Sequence, residues 1–280
     1  MSAAAGPIHV LGDDRDGRVR AFLLEVERPA PGLVLIDALG DAEGAGVRGR
    51  MAEINLRRAR EGRPDLALTD IVLTHAHRSH VQGAARLRAE TGAIVHIHER
   101  EADILAGERA NDRTTFWPLP PYRVLKLQVG MNAIYHLDEL GIRPSFLFPV
   151  RCVADATFRE GDSIGPLQVI HAPGHSEGSS ALLWPERRAL FVGDVVTTWP
   201  VVEPGWPGLT VGYEQNLESL RRLRVEAGAL DYLGVGHGDP APDPDAAERT
   251  VSRALDPAAR RRPSRRVRVL AYRRDDERGG

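Results

Sequence analysis

Of its 280 residues the chain has one cysteine, Cys152, and one lysine, Lys126. A single cysteine excludes an intrachain disulfide framework and a cysteine-rich zinc site, and it fits a reducing compartment. With one lysine, nearly all positive charge is arginine, which we read as genome composition rather than function. No apolar run approaches the roughly 20 residues that span a bilayer. The opening stretch, MSAAAGPIHVLGDDRDGRVR, lacks the basic start and apolar core of a secretory signal. The formal charge of −2 gives no global electrostatic reason to expect nucleic acid or a membrane as partner. The expectation is a cytoplasmic protein acting on a small molecule, its oligomeric state open. What is present is ordinary for a globular chain: 42% hydrophobic and 27% charged residues, enough to bury a substantial core.

Apolar runs and breakers alternate in an α/β rhythm. VRAFLLEV (19–26) and GLVLIDAL (32–39) read as an antiparallel pair with prolines and glycine at the turn. Residues 47–60 read as a helix that stops at Gly62 and Pro64. A strand ending at Leu73, a helix over about 80–90, a strand at 93–97 and a helix over about 99–107 follow. From 108 to 150 the pattern is irregular, and an excursion of that length inside a compact domain predicts a lid or binding loop. The rhythm then resumes with strands at 156–164, 167–174, 179–184 and 188–196. A helix near 213–226, a strand at 230–236 and a helix over about 244–255 complete it. Residues 1–256 form one domain in this reading, and 257–280 an arginine-rich tail. Eight arginines fall within 260–274; we read them as a solvated end or a charged edge strand.

Ten histidines are present, and three of them sit within six residues in THAHRSH (74–80). Three further segments place a ligand-type side chain where a strand gives way to a loop: APGHSEGS (172–179), FVGDVV (191–196) and GVGHGDP (235–241). Neutral imidazole and carboxylate are what zinc and neighbouring divalent ions accept. His75 and His77, two apart on an extended loop, can turn toward one ion, and His80 points into an adjacent position. His9, His96, His98, His136 and His171 stand alone and read as structural.

These four segments, in this order and behind these strands, resemble the metallo-β-lactamase fold hydrolase superfamily over roughly residues 8–245. The resemblance implies a four-layer αβ/βα sandwich of two mixed β-sheets with outer helices, and a metal site at one edge of the sheets. It implies that His75, His77 and His175 hold the first metal, with Asp194 bridging to a second that His80 and His237 complete. The implied activity is hydrolysis of an ester, thioester or lactone-like carbonyl by a metal-bound hydroxide.

The departure from the family pattern is Ser79, where the usual HxHxDH has the aspartate that ligates the second metal and orients the attacking water. A hydroxyl is a neutral, weak ligand and a poor base. The first metal keeps its ligands, while the second loses an anion. The expectation is therefore one tightly bound zinc with a weak or empty second position, and iron or manganese as alternative ions. Asp194 is left as the nearby carboxylate for catalysis, with Ser79 in the place of the missing one. Trp117, Tyr122, Trp199 and Trp206 lie in loops that could wall a partly apolar substrate pocket. Two other readings stay open: an iron-dependent dioxygenase of sulfur compounds, as some members of the superfamily are, and a degenerate member that binds metal or ligand without catalysis.

Overall fold

A computed structural model describes residues 7–12, 18–27, 30–109, 151–199, 201–205 and 210–256, with isolated positions 133, 137, 140 and 142. The proposed lid at 108–150 lies almost wholly outside the described residues, as do Trp117, Tyr122, His136, Trp206 and the arginine-rich tail.

The first half of the chain builds a six-stranded sheet in the order β1 to β6: Ile8–Leu11, Ala21–Val26, Gly32–Ile36, Leu68–Val72, Ile94–His98 and Ala156–Phe158. β1, β2 and β3 pair antiparallel; β3 to β6 pair parallel. Helix α1 (Ala45–Arg60) crosses from β3 to β4, and the short α2 (Arg78–Val81) and α3 (Ala84–Thr91) cross from β4 to β5. A further short helix, α4 (Ala102–Ala106), follows β5. The second half builds a five-stranded sheet from β7 (Ser163–Ile164), β8 (Leu167–His171), β9 (Ser180–Trp184), β10 (Ala189–Phe191) and β13 (Tyr232–Gly234). A small β11–β12 pair (Val196–Thr197 with Glu203–Pro204) sits beside it. Helices α5 (Tyr213–Glu226) and α6 (Pro244–Leu255) belong to this half. Helix α6 starts where the sequence predicts: Asp243 caps it by accepting from the Ala246 N–H, and Pro244 fills the first helical position.

The side-chain period of two sorts each strand between two cores. In β2 and β3, Phe22, Leu24, Val34 and Ile36 face Leu182, Trp184 and Phe191 of the other sheet. Their neighbours Leu23, Leu33 and Leu35 face the helices instead, with Val47, Ile54 and Leu87. The second sheet does the same, with Ala181, Leu190 and Leu233 packed beneath Leu220, Leu223 and Val251. Both faces of both sheets are thus covered, which explains why the strands read as continuous apolar runs. This is the four-layer αβ/βα sandwich.

Two predicted strands are broken. Residues 156–164 form two strands in different sheets, β6 and β7, because a turn closed by the Asp162 N–H to the Arg159 carbonyl passes the chain across. Residues 188–196 leave the sheet after Phe191, and a 3₁₀ turn at Gly193–Val195 carries Asp194 before β11.

Candidate metal centre

Every element that carries a candidate ligand ends at the same edge. β4 runs into Thr74–His77, with His80 one turn into α2; the β8–β9 connection carries His175; the turn after β10 carries Asp194; and the loop after β13 carries His237. Five of these six side chains are almost wholly buried, and His77 is half-buried.

Two overlapping clusters result. In the first, His75, His77 and His175 converge, with His77 Nδ1 2.9 Å from His175 Nε2. In the second, His75, His80 and Asp194 converge, and His80 Nε2 lies 3.2 Å from His237 Nε2. Asp194 belongs to both sides. Its Oδ2 stands 3.4 Å from His175 Nε2, 4.0 Å from His75 Nε2 and 3.2 Å from His237 Nε2, and its Oδ1 stands 3.5 Å from His80 Nε2. Ligands about 2.05 Å from a tetrahedral zinc stand ~3.4 Å apart, so the donors need only small shifts to share an ion. Gly236 is required here for space: a Cβ would come within 2.1 Å of Asp194 Oδ1.

The donors are also in the right chemical form. His75 Nε2 and Asp194 Oδ1 are buried without a hydrogen-bond partner, a costly arrangement that a cation would resolve. Burial, aided by the imidazoles of His80, His77 and His175, holds the His75 pKa well below the ordinary histidine range, so the ring is neutral. His175 is likewise pushed well down by burial, against the opposing pull of Asp194. Burial pushes Asp194 up, but His237 and His80 outweigh it and leave this carboxyl well below the usual range. The residues fit a divalent transition metal.

Sequence reasoning missed Asp37, the acid that ends the apolar run of β3. It adopts a left-handed backbone at φ 58° and is buried. Its carboxylate accepts from the Thr74 N–H (2.8 Å) and the Thr74 hydroxyl (2.9 Å), and His80 Nδ1 lies 2.9 Å away. Because the Thr74 hydroxyl gives its proton to Asp37, its oxygen must accept from His75 Nδ1 at 3.0 Å. That fixes the tautomer: the lone pair of His75 Nε2 faces the site. At His80, burial pushes the pKa down, but Asp194 and Asp37 prevail and raise it to about 10. A metal at His80 therefore has to displace a proton. The signal for Asp37 was an acid closing an apolar strand, which alone does not distinguish it from a turn residue.

The remaining candidates are dispersed. Ser79 is half-buried on α2. Trp199 follows the Thr198 N–H that donates to the His237 carbonyl, so it stands beside the ligand loop. His9 is bound to Glu25, His96 to Asp70 and His171 to the Glu177 carbonyl, and none of the three belongs to the clusters.

The fold has known counterparts. Solved structures that resemble it include BLEG-1 B3 metallo-beta-lactamase, 22% identical over 84% of this chain and 93% of that one, with a TM-score of 0.56. TTHA1623 in a di-iron-bound form is 22% identical, covering 87% of this chain and 98% of that one, at 0.52. ETHE1 from Myxococcus xanthus is 19% identical, covering 89% and 84%, at 0.54. At these identities the likeness is one of fold. The sequence model of the Metallo-beta-lactamase superfamily matches residues 15–237, a span that takes in every ligand candidate from His75 to His237. The chain is a member of the metallo-beta-lactamase superfamily.

Proposed function

We propose that the protein is a metal-dependent hydrolase that opens an ester, thioester or lactone-like carbonyl with one tightly held metal, most simply zinc. The observation that carries this is the His75, His77 and His175 cluster, with a buried, unpartnered His75 Nε2 facing the carboxylate of Asp194. His75, His77 and His175 would hold the ion, with Asp194 at its side. When bound, the ion supplies Lewis acidity that activates water and polarises the carbonyl.

The protein's own groups do the rest. Asp194 is ionised, and its Oδ1, 3.5 Å from His80 Nε2 and without a hydrogen-bond partner, would accept from the hydrogen of an incoming water. Its low pKa makes it an orienting acceptor first and a base second. Asp37, the neighbouring buried carboxylate, is taken up by the Thr74 and His80 donors and holds the rings in place. Trp199, next in sequence to the Thr198 N–H that donates to the His237 carbonyl, would line the substrate side in this reading.

Metal content after purification, read with a panel of esters, thioesters and lactones, tests the proposal. One zinc per chain with carbonyl hydrolysis is the expected result. A second reading, an iron-dependent dioxygenase of sulfur compounds, has its own support: the donor set accepts iron, and the structural neighbours include a protein in a di-iron-bound form. Iron in the purified protein with oxygen uptake on a persulfide would replace the first reading with that one. Failure to take up any metal on reconstitution would leave a non-catalytic member.

A further inference from the structure

We propose that Glu101 is the positioning residue that sets the spacing of the two histidine loops around the first metal position. The inference rests on the reading of His75, His77 and His175 as metal ligands. Glu101 comes directly before α4 and is 1% exposed. Its backbone is anchored to the end of β5, with its N–H donating to the His98 carbonyl, and to α4, with its carbonyl accepting from the Leu105 N–H. From there the side chain reaches between the two loops that carry the histidines. One oxygen, Oε2, accepts from the Ala76 N–H at 2.9 Å; the other, Oε1, accepts from the Gly178 N–H at 2.9 Å. Ala76 lies between the ligands His75 and His77, and Gly178 lies three residues after the ligand His175. One carboxylate thus ties the ligand loop of the first sheet to the ligand loop of the second.

The chemistry asks for this side chain. Two N–H donors converge on it from different loops, and a carboxylate has an acceptor oxygen for each. Glutamine keeps the size but turns an NH₂ toward one of them, leaving a buried donor unsatisfied. The Gly178 side of the contact is equally specific: a Cβ there would stand 2.4 Å from Glu101 Cγ and 3.0 Å from Oε1. A direct backbone bond already joins the loops, from the Ser180 N–H to the Thr74 carbonyl. With Glu101 as a second tie, the 2.9 Å separation of His77 Nδ1 from His175 Nε2 becomes a fixed span.

The test compares wild type with E101Q and G178A. Three quantities are read: zinc affinity by chelator competition, the visible d–d spectrum of the cobalt-substituted protein, and the rise in Tm that metal brings to apo protein. E101Q and G178A should each weaken zinc binding tenfold or more, shift the cobalt bands and shrink the metal-induced rise in Tm. E25Q is the control for a merely structural loss, because Glu25 is equally buried but pairs with His9, Arg57 and Arg58 away from the site. It should lower apo and loaded Tm together and leave zinc affinity and spectrum unchanged. Wild-type affinity and spectrum in E101Q and G178A would overturn the proposal. So would a fall in Tm that is the same with and without metal. Should E101Q fail to fold, G178A decides alone. A wild-type protein that takes up no metal would sink the metal-centre reading itself, a different failure from a wild type that binds zinc and an E101Q that binds it as well.

Discussion

Replacing Ser79 with aspartate should convert the centre from one tight metal to two. Asp194 serves both clusters, with Oδ2 toward His75, His175 and His237 and Oδ1 toward His80. Two dications about 4 Å apart repel by ~16 kcal/mol at an effective dielectric constant near 20, and one carboxylate 4 Å from a dication returns ~8 kcal/mol. One shared carboxylate, at ~8 kcal/mol with each ion, only offsets that repulsion and leaves the desolvation of the second ion uncovered, and the raised pKa of His80 adds a proton that the second ion must expel. By the family pattern an aspartate at position 79 ligates the second metal. If a fifth of its ~8 kcal/mol survives desolvation, ~1.5 kcal/mol remains, about a tenfold tighter second site. The assay is elemental analysis of wild type and Ser79→Asp after dialysis against graded free zinc. The expected outcome is a count near one for wild type at low free zinc and a rise toward two in the variant. Two tightly held ions in the wild type would refute the reasoning, and an unchanged count in the variant would count heavily against it.

Three further outcomes follow from the geometry. His175→Ala should abolish metal retention and lower the Tm of the loaded protein, since an ion bound only to the native state adds to its stability; full metal content in the variant would contradict the assignment. Asp37→Asn leaves the Thr74 and His80 donors short of an acceptor and should destabilise the apo protein by about 1–3 kcal/mol, measured by urea titration. It should also weaken metal binding, because the His75 and His80 tautomers are no longer fixed. His98 is buried and stacked on His171 at 4.3 Å, and burial first, then His171, lowers its pKa to about 4. The unfolded chain, with a histidine pKa of about 6.5, then binds more protons between those values. Apo stability should fall as pH drops from about 6.5 to 4, and His98→Gln should flatten that fall in urea titrations at pH 7 and pH 5.

Much of this was legible in the sequence, for reasons that particular residues show. Phe22 and Leu24 alternate with Ala21 and Leu23, so the period of two survives burial on both faces. Asp243 and Pro244 announce α6 because capping chemistry is local. The 156–164 segment reads as one strand because Phe158 and Ile164 keep an even spacing, and so one face, across the polar Arg159–Asp162 turn, although the chain changes sheet there. At the site, the histidines were visible by their spacing, whereas Asp37 and Glu101 were not. Each is a lone acid whose meaning depends on loops distant in sequence: Thr74 and His80 for one, Ala76 and Gly178 for the other. Pattern shows ligands, and tertiary contacts show what aims them.

The division of the chain into two sheets has a consequence for how a bound ion is felt. His75, His77 and His80 come from the first half, while His175, Asp194 and His237 come from the second. An ion held across that seam would join two layers that also meet through the apolar contacts of Phe22, Val34 and Val72 with Leu182, Trp184 and Phe191 and through the Ser180–Thr74 and Glu101 hydrogen bonds. It acts as a rivet. Opening either half would release it, so its binding energy would protect β2 and β10 alike and add to the cooperativity of the two layers.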